Sequence, residues 1–451
     1  MTGASDGGRS GDRPGPEGAP RGSAPLRKHA LSIFRAALAA ADPAAAVTRH
    51  LERLHTARYK SIYVVGAGKA AASMARAAEK ALGKRITAGL INVKDGHTAK
   101  LRRIEQNECG HPVPDERGVA GTRRIAEMAA AAGKDDLVLC LISGGASALT
   151  PLPAEPITLE EKREVTRLLL ECGADIHEIN TVRKHISKFK GGQLAHLAAP
   201  ATVETLLVSD VIGDDLGVIG SGPTAPDAST FADAADVLYR YGLMDRVPES
   251  VSERMARGGL GEIEETPKPG DPLFRRVRNT IVGNNRLALR EAARRARELG
   301  YRALILASEV EGETREIARM HAAIAKEMVR AGRPLKPPAC VITGGETTVT
   351  IRGGGLGGRN QEFALAAALD IAGLPDVLIF SAGTDGTDGP TDAAGAFADG
   401  ATLGRKPDAR RYLDENDSYH YFEALGDLVI TGPTNANVMD VRIILAGLPR
   451  S

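Results

Sequence analysis

Apolar residues recur at helical spacing from Leu26 to about His55, with a break at Asp42-Pro43. Asp is a frequent helix N-cap, and Pro is favoured in the first turn of a helix. The pattern therefore predicts two consecutive helices at the start of the fold.

Beyond these helices, apolar runs with the length of buried strands alternate with stretches of helical periodicity. The runs of the first half are SIYVVG (61–66), AGLINV (88–93), LVLCLI (137–142) and VETLLVSD (203–210). Helical patterns separate them, for example GVAGTRRIAEMAAAA (118–132). Strands that alternate with helices predict an α/β fold with a mostly parallel sheet and helices on both of its faces.

A stretch rich in Gly, Pro and charged residues, GGLGEIEETPKPGDP (258–272), interrupts this alternation. Such a composition is typical of a linker, so we expect two domains. The expected division is a disordered tail at 1–25, a first domain at 26–262, a linker at 263–277 and a second domain at 278–451.

After the linker, the strand patterns NTIVG (279–283), RALILA (302–307) and ACVITGGE (339–346) predict a second, smaller α/β domain. The segment TTVTIRG (347–353) alternates polar and apolar residues, which is typical of a half-exposed antiparallel strand. We therefore expect the second sheet to be mixed.

Length and charge narrow the function classes. A chain of 451 residues is too long for one ordinary core, which agrees with two domains and a cleft that suits an enzyme. Its 58 basic and 57 acidic residues give a net charge of +1, so no overall field attracts nucleic acid or anionic lipid. Aromatic residues make up 4% and Trp is absent, so stacking platforms for single-stranded nucleic acid are scarce.

The cysteines and the apolar runs indicate the compartment. Four scattered cysteines form no C-x-x-C pair and no disulfide-like spacing, which favours the reducing cytoplasm. No apolar stretch approaches the about 20 residues of a membrane span, and residues 1–25 lack the apolar core of a signal peptide. The sequence does not decide whether the protein forms a homodimer.

The turn Gly66-Ala67-Gly68-Lys69 follows a strand and opens a helix. Backbone amides and the helix dipole favour an anion in front of such a turn, and Lys69 suits a phosphate or carboxylate. The glycine spacing, with Asp95 after the next strand, also fits a relaxed dinucleotide fingerprint. A tight turn with a solvated lysine is the structural alternative.

Two further turns have a similar composition. Ser143-Gly144-Gly145-Ala146-Ser147 follows a strand in the first half, and Thr343-Gly344-Gly345-Glu346 follows a strand in the second. Hydroxyls and backbone amides in either turn could cradle a phosphate or carboxylate, or could simply cap a helix.

Two acidic loops also follow apolar strands. SDVIGDDLGVIGSGPTAPD (209–227) contains Asp210, Asp214 and Asp215, and GTDGTDGPTD (383–392) contains Asp385, Asp388 and Asp392. Ligands bind at this edge of an open α/β sheet, and clustered carboxylates suit the Mg²⁺ that accompanies nucleotide phosphates. Asx turns are the structural alternative.

Basic and polar residues balance these acids. The run TVRKHISKFKGGQLA (181–195) contains Arg183, Lys184, His185, Lys188 and Lys190. Transfer of a phosphoryl group needs such cations, although most cations on a protein are solvated. Arg359 follows a Gly-rich segment at the start of a helix, where backbone can approach a ligand. His111 could act as a base, but a His beside two prolines is more often a turn fixture.

Taken together, the motifs resemble those of the class II glycerate kinases, also labelled hydroxypyruvate reductases or MOFRL-domain proteins. The resemblance extends from about Leu26 to the C-terminus, and it rests on VVGAGKAAASM, CGHPVPDERG, LISGGASAL, RKHISKFKGGQLA, SDVIGDDLGVIGSGPTAPD, GGETTVTIRGGGLGGRNQEFAL, SAGTDGTDGPTDAAGAF and TGPTNANVMD. It implies phosphorylation of D-glycerate to 2-phosphoglycerate with ATP and Mg²⁺. It also implies an active site between a Rossmann-like domain and a smaller α/β domain. The family's lysine of the GAGK turn corresponds to Lys69, and its arginine of the GGRNQE motif corresponds to Arg359.

The expected site follows from the motifs and the resemblance. Expected catalytic residues are Lys69, Arg359 and Asp210, and expected metal ligands are Asp210, Asp214 and Asp388. Expected substrate or phosphate contacts are Gly66, Gly68, Ser143, Gly144, Gly145, Ser147 and Lys188. Expected nucleotide contacts are Gly344, Gly345, Glu346, Asn360, Asp385, Thr434, Asn435 and Asn437. The alternatives are an NAD(P)H-dependent reductase of hydroxypyruvate or tartronate semialdehyde, and a ligand-binding regulator without turnover.

Overall fold

The computed structural model describes residues 23–450, which form two six-stranded sheets surrounded by helices. The strands of the first sheet are β1 (Ile62–Ala67), β2 (Ile86–Lys94), β3 (Glu105–Cys109), β4 (Leu137–Ile142), β5 (Thr202–Val208) and β6 (Val277–Gly283). The strands of the second sheet are β7 (Arg302–Val310), β8 (Ala339–Gly345), β9 (Val377–Gly383), β10 (Gly395–Asp399), β11 (Leu428–Val429) and β12 (Asp440–Ala446).

The helices fall between these strands, as the alternation predicts. Those before β6 are α1 (Ser23–Ala41), α2 (Pro43–Leu51), α3 (Ala71–Leu82), α4 (Glu116–Ala130), α5 (Ala146–Leu149), α6 (Leu159–Glu171), α7 (Ile176–His185), α8 (Gln193–Ala198), α9 (Phe231–Arg240) and α10 (Glu249–Gly259). Those after β6 are α11 (Asn285–Glu298), α12 (Thr314–Ala331), α13 (Arg359–Ile371), α14 (Thr402–Arg405), α15 (Ala409–Asp414) and α16 (Ser418–Leu425). Asp42 caps α2 and Pro43 is its first residue, which confirms the predicted break.

Neighbouring strands of the first sheet are parallel, in the order β3-β2-β1-β4-β5-β6. The central strand β4 is buried on both faces, because successive side chains of a strand point in opposite directions. Its alternate residues accordingly belong to two hydrophobic clusters, with Leu139 in one and Cys140 in the other. The predicted parallel sheet with helices on both faces is confirmed.

The second sheet has the order β11-β10-β9-β12-β8-β7. Strands β7 and β8 pair in parallel, and the other neighbours pair antiparallel. The prediction of a mixed sheet is confirmed, although its antiparallel strands β9, β10 and β12 are fully buried runs rather than a half-exposed one.

The segment 347–353 is a loop, so its assignment as an antiparallel strand was wrong. The Thr348 amide donates to the Gly312 carbonyl at 2.9 Å, and the Thr348 carbonyl accepts from the Thr314 amide at 2.8 Å. Further along, the amides of Arg352 and Gly353 donate to the side-chain oxygen of Asn416. A side chain thus replaces the partner strand that the alternation predicted.

Two elements lie on the other side of the predicted domain division. Strand β6, which contains the NTIVG pattern expected in the second domain, pairs with β5 and completes the first sheet. Helix α1 packs along α11 and against β9 and β12 of the second sheet. The expected tail lies outside the described residues except for 23–25, which begin α1. The domain boundaries themselves stay a prediction.

One hydrophobic cluster joins the two sheets. It contains Val64 and Leu139 of the first sheet, Ile342 and Phe380 of the second, and the buried face of α1. The ring of Phe34 in α1 lies 5.1 Å from the ring of Phe380, centre to centre. Because the cluster is continuous, the two sheets share part of one core.

Within residues 23–450 no single helix is long and apolar enough to cross a membrane. Helices α1 and α2 reach that length only as a pair bent by 51°.

We predict that Phe34→Ala lowers the free energy of unfolding by about 3–5 kcal/mol, because it opens a cavity in the shared core. Urea unfolding followed by circular dichroism measures this change. The neighbouring Arg35→Ala removes an exposed side chain and should stay within about 0.5 kcal/mol of the parent. Equal effects of the two substitutions would contradict the role of Phe34 in joining the sheets.

Candidate active site

The candidate site lies where loops of the two sheets meet. The first sheet supplies the loops after β1, β4 and β5, and the second supplies those after β8 and β9 together with the segment before β12. The amide nitrogen Nδ2 of Asn437 lies 3.4 Å from Oδ2 of Asp210, so the two sets of loops are in contact.

The GAGK turn is tied to the turn after β4. A Cβ atom at Gly68 would lie 2.1 Å from Oγ of Ser143, and Gly68 has a φ of +135°, so this position requires glycine. The amides of Gly68, Lys69 and Ala70 donate to the Asn92 carbonyl, the Gly144 carbonyl and Oγ of Ser143. This corrects the expectation that these amides face an anion. The exposed side chain of Lys69 is what the turn offers to a ligand.

Three chemically useful side chains surround the turn after β4. The Asp210 carboxylate packs on Gly144, where a Cβ atom would lie 2.1 Å from its Oδ2. The ring of His111 and the stem of Lys69 lie next to Gly145. Burial raises the pKa of Asp210, against the opposing effect of Lys69. Burial and then Lys69 lower the pKa of His111, which favours a neutral ring at neutral pH.

The far end of the same turn contacts a buried lysine. Nζ of Lys190 donates to the carbonyl of Ser147 at 2.8 Å and lies 3.1 Å from its Oγ. Oγ of Ser147 lies 2.8 Å from Oγ of Ser221. The expected residue Lys188 points elsewhere, since its half-exposed side chain pairs with Glu155 at 3.3 Å. The structure therefore brings Lys190, rather than Lys188, to this turn.

On the second sheet, Arg359 is held by a carboxylate that the sequence analysis did not single out. Its Nε and Nη2 donate to the two oxygens of buried Asp440 at 2.8 and 2.9 Å. Its Nη1 lies 2.9 Å from the Glu346 carboxylate. Burial opposes the charge of Arg359, but the ion pair with Asp440 raises its pKa overall.

Asp440 also accepts from Arg442 at 2.9 Å and from the Asn360 side chain at 2.9 Å. The signal for this network is present in the sequence, because Asp440 and Arg442 are the charged residues of the otherwise apolar run DVRIILA. Charged residues are rarely buried unless they are paired, so such a run predicts an internal ion pair.

Carboxylates from the two sheets influence one another. Partial burial is the main cause of the raised pKa of Glu346, and the charges of Asp440, Asp210 and Asp385 raise it further against the effect of Arg359. Residues 23–450 contain no group of three or more His, Cys, Asp or Glu side chains that could hold a metal ion alone. Mg²⁺ needs only one or two protein carboxylates when it arrives with a nucleotide, and it would relieve this repulsion.

The three expected metal ligands do not form one group. Both oxygens of Asp388 are occupied, because they accept from the amides of Asn360 and Gln361 at 3.0 and 2.8 Å and cap α13. Burial raises the pKa of Asp388 to about 6. Asp214 accepts a hydrogen bond from the Asn284 side chain. Asp388 and Asp214 are therefore engaged by other groups, and the metal site proposed below uses neither of them. Asp210 is assigned there to the acceptor hydroxyl instead.

Some of the expected nucleotide contacts are occupied by contacts within the protein, and the others have accessible side chains. A Cβ atom at Gly344 would lie 1.8 Å from Asn285, and one at Gly345 would lie 2.3 Å from the Val310 backbone, so both glycines serve packing. The buried side chain of Asn360 bonds to Asp388, Asp440 and Ser381. Oγ1 of Thr434 lies within hydrogen-bond distance of the backbone carbonyls of Thr384 and Ala436. The residues left with accessible side chains are Glu346, Asp385, Asn435 and Asn437.

Two family models match the chain: a domain of unknown function (DUF4147) at residues 29–256 and the MOFRL family at residues 339–440. The D-glycerate 2-kinase of Thermotoga maritima is 44% identical over 93% of this chain and 98% of that protein. A putative hydroxypyruvate reductase of Agrobacterium vitis is also 44% identical, over 92% of this chain and 93% of that protein. The crystal structure of a glycerate kinase from Thermotoga maritima has a TM-score of 0.88 and 44% identity, and the match covers 94% of this chain and 99% of that one.

We predict that Asp440→Asn lowers the free energy of unfolding by about 3–5 kcal/mol, because two cations then lose their buried counter-charge. Glu346→Gln removes the second carboxylate partner of Arg359. Because the Glu346 side chain is 46% exposed, this substitution should cost no more than about 1 kcal/mol. Urea unfolding of both variants measures the difference. A loss at Asp440 as small as that at Glu346 would show that the buried network contributes little.

Proposed function

Since this chain belongs to the glycerate kinase family, we propose that it transfers the γ-phosphoryl group of ATP to the 2-hydroxyl of D-glycerate. The observation that carries the proposal is the meeting of Lys69, His111 and Asp210 with Arg359 and Glu346 at one edge of the two sheets. Phosphoryl transfer depends mainly on positioning and on cations that stabilise charge, and this edge supplies both.

The first sheet would bind the acceptor. Asp210 would accept the proton of the 2-hydroxyl as the oxygen attacks the γ-phosphorus, and its raised pKa makes it a stronger base than an exposed carboxylate. Lys69 has no competing ion pair among the described residues, so its ammonium group is available to the moving phosphoryl group. The bond from the γ-phosphorus to the ADP oxygen breaks on the opposite side.

The second sheet would bind ATP. Arg359 is fixed by Asp440 while about a quarter of its side chain stays exposed, which suits contact with phosphate oxygens. Glu346 and Asp385 would hold Mg²⁺, which when bound neutralises charge on the β- and γ-phosphates. Asn437 reaches Asp210 and would keep that carboxylate near the phosphates.

The reductase named for one relative is the main alternative, and specific contacts disfavour it. A dinucleotide at the GAGK turn would need free backbone amides, but those of Gly68 and Lys69 already donate within the protein. It would also need a free acidic side chain for the ribose, but Asp95 is bound by Arg117 at 2.8 and 2.9 Å. Both features of the fingerprint are therefore occupied.

We also infer a reducing, cytoplasmic environment. The four cysteines are unpaired, and three of them are buried. An oxidising compartment would favour disulfides in a protein with this many thiols.

We predict D-glycerate-dependent release of ADP from ATP and Mg²⁺, reduced at least about 100-fold by Lys69→Ala and by Arg359→Ala, because each removes a cation from the transferred group. A coupled assay for ADP measures the rate. Lys80→Ala, at the exposed far end of α3, is the matched control and should keep the parent rate.

Two further measurements on the same protein separate the alternatives. Oxidation of NADH with hydroxypyruvate, without ADP release, would favour the reductase. Thermal shifts with glycerate and ATP but no product would favour a regulator without turnover.

The site of phosphorylation has its own test. We predict that the proton-coupled phosphorus-31 NMR signal of the product is a doublet, because carbon 2 carries one hydrogen. A triplet would place the phosphate on carbon 3, which carries two, and would contradict the proposed acceptor hydroxyl.

A further inference from the structure

Lys190 is almost completely buried, with 1% of its surface exposed. Its Nζ bonds to Ser147, Ser147 bonds to Ser221, and Oγ of Ser221 donates to Oδ1 of Asn180 at 2.8 Å. Lys190 thus belongs to a polar cluster that begins in the turn beside Asp210, and the mechanism above does not use it.

Two further cations face this cluster. Burial is the main cause of the lowered pKa of Lys190, and the charges of Lys162 on α6 and Arg183 on α7 lower it further. Burial lowers the pKa of Lys162 to about 7. No carboxylate contributes to the pKa of any of the three cations.

These cations have no counter-charge in residues 23–450. Neither Lys162, Arg183 nor Lys190 takes part in an ion pair there. The neighbouring carboxylates have other partners, since Glu155 pairs with Lys188 and Asp227 pairs with Lys184. Buried cations without an anion are costly, and a bound oxyanion would offset that cost.

Asn180 provides an independent observation. It is 3% exposed, and its Nδ2 has no hydrogen-bond partner among the described residues. A buried donor without an acceptor costs free energy, so groups of this kind are uncommon unless a ligand or water completes them. Unpaired cations and an unpaired amide at one cluster both require acceptor oxygens.

We propose that Lys190, Ser147 and Arg183 bind the carboxylate of the acceptor. This inference rests on the proposed function, and it names the group by which the site selects a short hydroxy acid over an uncharged polyol. Gly144, which contacts Asp210, and Ser147, which contacts Lys190, belong to one turn. The two contacts thus lie three residues apart on one turn, and we expect the hydroxyl and the carboxylate of one short acid to span them.

The test is binding of D-glycerate to the full chain, measured by calorimetry in the presence of a non-hydrolysable ATP analogue. Lys190→Met removes the buried amine, and with it the ammonium that a bound carboxylate would stabilise, at similar length. Arg183→Gln removes the charge of a partly exposed side chain that has no ion pair. Each should weaken D-glycerate binding at least about tenfold, because a charge-assisted hydrogen bond is lost. The KM for D-glycerate should rise while the KM for ATP stays unchanged.

Controls separate this contact from a general loss of structure. Lys134 is an exposed residue just before the amino end of β4, whereas the candidate site lies at the carboxyl ends of the strands. The variant Lys134→Met should therefore bind D-glycerate like the parent. D-Glyceramide, which lacks the negative charge, should bind the parent weakly and should be insensitive to Lys190→Met. If Lys190→Met does not fold, Arg183→Gln decides the question.

The outcomes are distinguishable. Unchanged D-glycerate binding in folded variants of an active parent would overturn the carboxylate site and leave the kinase assignment intact. Weaker binding of ATP with unchanged D-glycerate binding would make the cluster a phosphate site and also overturn the proposal. A parent that neither binds nor phosphorylates D-glycerate would overturn the proposed function together with this inference.

Discussion

The hydrophobic cluster shared by the two sheets determines where their loops meet. It contains residues of β1 and β4 from one sheet, β8 and β9 from the other, and α1 between them. Asp210 follows β5, and Asn437 precedes β12, so their contact depends on how the sheets are placed. Every charge relation across the site therefore depends on packing that is itself apolar.

Within that frame, the polar groups are organised by pairing. Asp440 holds Arg359 and Arg442, and this pairing lets Arg442 remain against the core residue Phe363. Asp210 is different, because burial raises its pKa and the packing on Gly144 leaves it near Lys69 without a direct salt bridge. The fold thus fixes one charge firmly and leaves another available, and an enzyme that moves a charged group needs both kinds.

The sequence predicted β1, β2, β4 and β5 of the first sheet, because buried parallel strands are apolar runs that need no knowledge of their partners. It missed β3, whose residues are mostly polar, and it assigned β6 to the second domain. It failed for segment 347–353, since alternation alone does not show that the Asn416 side chain replaces a strand. Lys69 and Arg359 could be recognised from their motifs, whereas Lys190 could not be separated from Lys188 within one basic run. Which of two nearby lysines is buried depends on Ser147, which lies 43 residues away in the sequence.

The position of α1 has a consequence for the life of the chain during synthesis. This helix is made early, but its packing partners β9 and β12 end at Gly383 and Ala446. At roughly 5–20 residues per second, the interval is on the order of tens of seconds. Helix α11 covers part of the apolar face of α1 before then. The part of that face that packs on β9 and β12 stays uncovered until β12 has been synthesised, and the nascent protein presents it to the ribosome surface and to chaperones.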